Sequence, residues 1–305
     1  MVAPNNRMRV KRRANRVASL IYSVYNPAAS RNSVRQVAAR EERRTIYVPN
    51  SGKLIGRLNP FAWLVSGIGG VINTVSDVKW FLRARKTNPN LKFRDTGSSI
   101  KHNFVAPDMS DGWFYNPIFR RTLITKKNVS TAALAHELTH ALRGFKMTNF
   151  YDANSIDRYF TFADSFSQGK MKPEEFAEMK TRAKKLAFFP EDVSNIKKMY
   201  KRDFTNKLRS FLKHTIVHEH STILKEPGTM PGGYSGGRIA FMIDLHYGKP
   251  FMGLMVLRAL GEGRSFDRAL AEAEKGRNNP KLERVYELNP VMARHYSRVI
   301  EKAAA

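Results

Sequence analysis

The chain of 305 residues contains no cysteine. Disulfide bonds, thiol nucleophiles and cysteine-based zinc sites are therefore excluded, and any metal ion must be held by histidine and carboxylate side chains. A chain without thiols suits a reducing cell interior, and it equally suits a virion or an extracellular enzyme. Cysteine usage therefore assigns no compartment.

Acidic residues are scarce. The sequence has 26 Asp and Glu against 53 Lys and Arg, which gives a formal charge of +27 at pH 7. Such a protein attracts polyanions: nucleic acid, an anionic membrane or an acidic protein partner. The same charge is typical of a generally basic component of a large assembly, because charge governs association and not fold.

Residues 1–44 hold eleven Lys and Arg and only two acids, Glu41 and Glu42. No apolar core follows the first basic run, so the segment does not resemble a secretory signal peptide. We interpret it as a basic N-terminal arm, either disordered on a polyanion or within a complex, or a targeting segment for an organelle. The expected location is intracellular, organellar or virion-associated.

Long apolar stretches are also lacking. Residues 58–76 carry no charge, and this length is nearly enough to span a bilayer, but Pro60, two asparagines and three glycines dilute its apolarity. We place this stretch in an N-terminal region, residues 45–112. A buried or surface-packed helix is the preferred interpretation, with membrane contact as the alternative.

The first clear secondary-structure pattern in the sequence is a strand segment followed by a helix. Aromatic and β-branched clusters in residues 113–126 predict one or two short strands. A helix should follow, capped by Ser130 or Thr131 and closed by Gly144. Three leucines would face the core on one stripe of this helix: Leu134, Leu138 and Leu142.

Mostly helical structure is predicted after this point. Pro173 suits a first helical turn, and Pro190 opens another helix. A Gly/Pro-rich break is expected at residues 227–237. The other predicted helices are residues 205–224, two shorter ones that end near Gly248 and Gly261, and residues 266–275 capped by Ser265.

The strongest chemical signal is the HExxH motif of His136, Glu137 and His140. Positions i and i+4 lie on one helix face, so both imidazoles can bind one metal ion. Zinc lowers the pKa of a bound water towards about 7. Glu137 would take the proton from that water and pass it to the leaving amine. A motif that fixes only three residues also occurs by chance. Its position in a capped helix with an apolar face favours a real metal site.

A catalytic zinc ion needs a third protein ligand. The extended metzincin motif, with Gly and His shortly after HExxH, is absent because position 143 is Arg and position 146 is Lys. A later Glu or His must therefore complete the set.

Four later segments follow the motif in a characteristic order. They are residues 217–222 (VHEHST), 233–237 (GYSGG), 241–248 (FMIDLHYG) and 260–273 (LGEGRSFDRALAEA). With HExxH, they resemble the gluzincin zinc peptidases, in particular the peptidase MA-like family, over roughly residues 115–275. The resemblance implies a zincin-like domain over residues 113–305, in which the zinc ion lies between a small sheet and a helical half.

The resemblance also implies Glu219 as the third zinc ligand and Tyr234 as the donor to the oxyanion. His220 departs from the family pattern, which has a small residue after that Glu. Other ligands stay open, namely Glu174, Glu175, Glu178, His214, His218 and His220. His246 and Tyr247 are the next candidates for the oxyanion donor.

The sequence thus predicts an α+β, predominantly helical fold with a small antiparallel sheet before the active-site helix. The expected function is a Zn²⁺-dependent peptidase that acts on a peptide or protein substrate, with a polyanion as a further partner. The alternative is a non-catalytic or packaged structural component of a nucleic-acid-containing assembly, such as a virion or an organellar ribosome, built on a metallopeptidase fold.

Overall fold

A computed structural model describes residues 4–51, 54, 57, 58, 60–93, 113–116, 119–143, 149–186, 192–194, 196, 231–275 and 279–305. The fold is predominantly helical with one small sheet, as predicted. The helices are α1 Pro4–Tyr25, α2 Arg31–Arg44, α3 Pro60–Thr87, α4 Thr131–Arg143, α5 Asn149–Ser167, α6 Pro173–Lys185, α7 Pro231–Tyr247, α8 Met252–Gly261, α9 Phe266–Lys275, α10 Pro280–Leu288 and α11 Pro290–Ala304. The strands are β1 Thr45–Tyr47, β2 Trp113–Asn116 and β3 Arg121–Ile124.

The chain forms two compact units. The first comprises residues 1–49, 112–208 and 231–305, and the second comprises residues 50–111 and 209–230. All three strands and every helix named above except α3 belong to the first unit. This unit therefore combines the basic N-terminal segment with most of the predicted zincin-like domain, residues 113–305, while residues 209–230 of that domain belong to the second unit.

Residues 4–44 are folded, which corrects the expectation of a disordered arm. The apolar residues of α1 recur at helical spacing between its arginines and are buried in the core of the first unit: Val10, Ala14, Val17, Ala18, Leu20, Ile21 and Val24. The helix packs against α2, α4 and α10. Ser19 donates a hydrogen bond of 2.8 Å to the Oδ1 atom of Asn289, so the two ends of the chain meet here.

The sheet has the order β1-β3-β2. β2 and β3 form an antiparallel hairpin within residues 113–126, where the sequence predicted one or two short strands, and Arg120 takes a left-handed conformation in its turn. β1 pairs with β3 in parallel, from Thr45 opposite Thr122 to Tyr47 opposite Ile124. The expectation of an antiparallel sheet is therefore wrong for β1. No short turn joins β1 to β3, so hairpin geometry does not set its direction.

The Gly/Pro-rich break expected at residues 227–237 is wrong from Pro231 onward, because α7 begins there. Glycines in this helix allow a close approach to α5. A methyl group on Gly237 would lie 2.7 Å from the carbonyl oxygen of Ser155 and 2.8 Å from the backbone nitrogen of Tyr159. These glycines therefore serve helix packing and do not mark a turn.

Gly237→Ala should lower the free energy of unfolding by about 1–3 kcal/mol, because backbone atoms of α5 cannot move away from the added methyl group. Urea titration of the purified variant measures this change. Gly67→Ala in α3 is the control, since an added methyl group there meets no atom within 4 Å. The control should be neutral or gain about 0.5–1 kcal/mol in helix stability. Equal stability of Gly237→Ala and wild type would contradict the packing argument.

Several predicted helix ends are confirmed. α6 begins at Pro173, and α8 ends at Gly261. α9 covers residues 266–275, and the hydroxyl of Ser265 caps it by accepting a hydrogen bond of 3.2 Å from the Arg268 nitrogen. The helix expected over residues 205–224, Pro190 and Gly144 lie outside the described residues.

The helix expected within residues 58–76 is present as part of α3. Most of its described side chains are exposed, which contradicts the buried alternative but not the surface-packed one; Trp63, Leu64 and Val71 are about half-exposed. Among the described residues, no helix is both long enough and sufficiently apolar to cross a bilayer.

A buried carboxylate links three helices in the first unit. Asp244 of α7 accepts hydrogen bonds from the backbone nitrogens of Phe251, at 2.8 Å, and Gly253, at 2.7 Å, and from the hydroxyl of Tyr159 in α5. It thereby caps the N-terminus of α8 from a different helix. Burial raises the pKa of Asp244 to about 7.

Candidate metal centre

The HExxH motif lies at the centre of α4. The hydroxyl of Ser130 caps this helix by accepting a hydrogen bond of 3.1 Å from the Ala133 nitrogen, as predicted. Leu134 and Leu138 are fully buried, and Leu142 packs against the core while partly exposed. α4 packs against α5, α1 and the β2–β3 hairpin. The helix is therefore fixed on several sides, and the motif side chains start from a rigid backbone.

The two histidines converge. The Nε2 atoms of His136 and His140 lie 3.1 Å apart, and the ring centroids lie 4.8 Å apart. Both side chains are buried, with 8% and 4% of their surface exposed. The i, i+4 spacing on α4 thus directs both nitrogens to one point, as the sequence predicted.

The electrostatic environment keeps His136 neutral. Burial, and secondarily the positive charge of Arg158 in α5, lowers the pKa of His136 to about 4. A neutral imidazole offers a lone pair on nitrogen, which is the form that binds a metal ion.

Glu137 lies between the core and solvent, since its side chain is only partly buried. Its Oε2 atom accepts a hydrogen bond of 2.7 Å from the backbone nitrogen of Tyr115 in β2. This contact fixes the carboxylate beside the edge strand of the sheet, next to the histidine pair along the helix. A positioned, partly exposed carboxylate can exchange a proton with a water molecule.

Among the residues that the structure describes, no three His, Asp or Glu side chains form a group that could hold a metal ion. Glu174 and Glu175 are exposed on α6, and Glu178 pairs with Arg238 at 2.6 Å. None of these three glutamates joins the two histidines in such a group, and their assignment as ligands stays a prediction.

The other ligand candidates, Glu219, His214, His218 and His220, lie outside the described residues. Their assignment stays a prediction.

The candidate oxyanion donors lie on α7. Tyr234 lies near the start of this helix, not in a turn, and its side chain is outside the described set. His246 and Tyr247 lie near the other end and pack edge to face, with ring centroids 4.8 Å apart. His246 joins no metal-capable group among the described side chains.

Sequence reasoning missed two features of this site. Arg158 acts on His136 from α5, and the Tyr115 backbone fixes Glu137 from β2. Arg158 follows Asp157 in a helix of mixed polar and apolar residues, so no pattern in the sequence indicated its place beside His136. No side-chain pattern could have indicated a backbone donor in a strand.

Comparisons with protein-family models, with curated proteins and with solved structures find no match to this chain.

Proposed function

We propose that this protein is a zinc-dependent peptidase in which His136 and His140 bind the metal ion and Glu137 is the general base. The observation that carries the proposal is the 3.1 Å separation between the buried Nε2 atoms of the two histidines. Glu137 stands next to them in sequence and is oriented by a strand of the sheet.

The histidine pair fits a zinc ion. Two nitrogens that share one zinc ion at bond lengths of about 2.0–2.1 Å and tetrahedral angles lie about 3.3 Å apart. The observed separation is close to this value. Neutral imidazoles and carboxylates are the donors that zinc accepts in a chain without cysteine. Once bound, zinc supplies a Lewis acid that lowers the pKa of water and polarises a carbonyl group.

Glu137 supplies the proton transfers. Its carboxylate accepts a proton from the attacking water and returns it to the amine that leaves. The hydrogen bond from the Tyr115 nitrogen holds the carboxylate in one orientation while this happens.

The sheet favours an extended peptide as substrate. β2 is an edge strand, because it pairs with β3 and with no other strand among the described residues. An extended peptide can add to such an edge through main-chain hydrogen bonds. The Tyr115 nitrogen that contacts Glu137 belongs to this same strand, so a peptide along β2 would lie beside the proposed base.

The resemblance to gluzincins completes the proposal. It assigns Glu219 as the third ligand, Tyr234 as the oxyanion donor and a zincin-like fold to residues 113–305. The helical half after the hairpin and α4 is compatible with that architecture.

Metal content tests the proposal. Purified wild type should contain one zinc ion per chain by elemental mass spectrometry. His136→Ala should lose it, because one ligand of three is removed. Glu219→Gln should retain it more weakly. His295→Ala is the matched control, since this histidine is exposed on α11 and lies far along the chain from the motif.

Wild type that contains no metal when purified without chelator, and that takes up none when zinc is added, would refute the peptidase. The second candidate would then lead: a structural component of a nucleic-acid-containing assembly. The charge of +27 favours this candidate. In that case the short Nε2 contact would be a hydrogen bond between the two imidazoles.

A further inference from the structure

A basic groove borders the N-terminal half of α1. Its volume is about 670 Å³, and four arginines line it together with Thr131 of α4: Arg9, Arg12, Arg13 and Arg16. These arginines occupy positions i, i+3, i+4 and i+7, so they share one face of the helix. No carboxylate lines the groove among the described residues.

Three of the four arginines are available to a ligand. Arg13 is engaged, since it donates to the carbonyl oxygen of Val129 and, at 2.8 Å, to the hydroxyl of Thr131. Arg9, Arg12 and Arg16 are exposed, and none forms an ion pair within the described parts of the chain. Because like charges at these spacings repel, the cluster destabilises α1 unless an anion binds.

Some other arginines of the first unit are neutralised by a nearby acid: Arg258 by Glu262, Arg264 by Glu272, and Arg284 by Glu287. On α1, in contrast, three arginines without an ion pair share one helix face, and no carboxylate lines their groove among the described residues. This face is therefore a local concentration of positive charge.

We propose that this groove binds the phosphate backbone of a nucleic acid. Arg9 and Arg16 are seven residues apart, which is about 10 Å along a helix. A nucleic-acid strand carries one phosphate per about 3.4 Å of duplex axis, so the three free arginines can contact about three phosphates. Guanidinium groups bind phosphate oxygens with two parallel hydrogen bonds.

The first unit has a second basic groove, and its presence favours an extended polyanion as the ligand and not a single small anion. Its volume is about 640 Å³, and Arg294, Arg298 and Lys302 of α11 line it. Met292 lines the first groove and Val291 the second, so the two grooves lie on adjacent sides of the start of α11. A polymer can contact both.

Burial of the apolar face of α1 disfavours a membrane surface. Helices that lie on membranes insert an apolar face between lipids. In α1 that face is already covered, since Ala14, Val17 and Leu20 are buried in the core. Within the groove, Met8 is the one large hydrophobic residue that is strongly exposed among those described. Only the charged face of α1 is therefore left for a ligand. The proposal that this face binds nucleic acid does not depend on the peptidase activity.

The test uses the full chain and a labelled DNA strand of about 20 nucleotides, alone and as a duplex, with binding followed by fluorescence anisotropy. Replacement of Arg9, Arg12 and Arg16 by Gln should weaken binding on the order of 100- to 500-fold at 0.1 M salt. This estimate follows from a slope of about −0.7 to −0.9 in log K against log salt for each lost phosphate contact. The slope itself should fall by about 2.

The control variant replaces Arg31, Arg35 and Arg43 of α2, which are also exposed, by Gln. It removes the same charge and should bind within about threefold of wild type. Replacement of Arg9, Arg12 and Arg16 by Lys should keep the salt dependence and only part of the affinity, because lysine keeps the charge but cannot form two parallel hydrogen bonds. Circular dichroism and the melting temperature verify that each variant is folded.

Three results would overturn the proposal. They are wild type that does not bind DNA at 0.05 M salt, a control variant that loses as much affinity as the groove variant, and vesicles containing phosphatidylserine that bind wild type more tightly than DNA and lose binding in the groove variant. In the last case the groove would be a lipid site.

Discussion

Glu137→Gln should abolish most peptidase activity while zinc content stays at the wild-type level. Loss of a general base costs about 10²- to 10⁴-fold in rate, or about 3–5 kcal/mol of activation free energy. The amide oxygen can still accept the hydrogen bond from the Tyr115 nitrogen, so the site should keep its geometry. Cleavage of fluorescein-labelled casein, with elemental analysis of the same preparation, measures both quantities.

Glu174→Gln is the matched control, because it makes the same chemical change at an exposed position of α6. Its activity should equal that of wild type. If Glu137→Gln retained full activity against a substrate that wild type cleaves, Glu137 would not be the base and the mechanism would be wrong.

Asp244→Ala should cause the largest loss of stability of any single substitution considered. It leaves the backbone nitrogen of Gly253 and the hydroxyl of Tyr159 without their acceptor inside the core, and it leaves the Phe251 nitrogen with only a longer bond of 3.2 Å to the Tyr159 hydroxyl. Each unsatisfied buried donor costs about 1–3 kcal/mol, so we expect a loss of about 3–5 kcal/mol. Urea titration of the variant beside wild type measures it.

The effect of Asp244 should also depend on pH. Burial raises the pKa of this carboxyl to about 7 in the folded protein, above its usual value. Between about pH 4 and 7 the folded chain therefore holds a proton that the unfolded chain has released. This contribution to stability is fully present below about pH 4 and is lost as the pH rises through about 7, by up to about 1.4 kcal/mol per pH unit.

Asp244→Asn isolates this effect, since asparagine does not titrate but keeps one acceptor oxygen. The stability of wild type relative to Asp244→Asn should fall as the pH rises from 4.5 to 7.5. A constant or rising difference over this range would show that the carboxyl is ionised in the folded protein throughout.

The features that were predicted from the sequence are local. The motif helix α4 could be placed because its cap, its leucine stripe and its two histidines lie within a few turns of each other. The strands β2 and β3 were recognised by the aromatic and β-branched clusters in residues 113–126. The cap at Ser265 was found in the same way.

The features that were missed depend on distant contacts. The glycines at the start of α7 predicted a break between helices. In the structure they lie within a helix and are required because α5 packs closely against them. The arginines of α1 suggested a disordered arm, although the apolar residues between them already had helical spacing. The direction of β1 depends on β3, which follows much later in the chain.

The contact between Ser19 and Asn289 has a consequence for biosynthesis. The two residues are 270 positions apart. At about 5–20 residues per second, a ribosome needs on the order of 15–50 s to make the chain between them. During this interval α1 can pack against α2 and α4 but not against α10. Unit 1 therefore cannot complete its core co-translationally before the segment around Asn289 has left the ribosome.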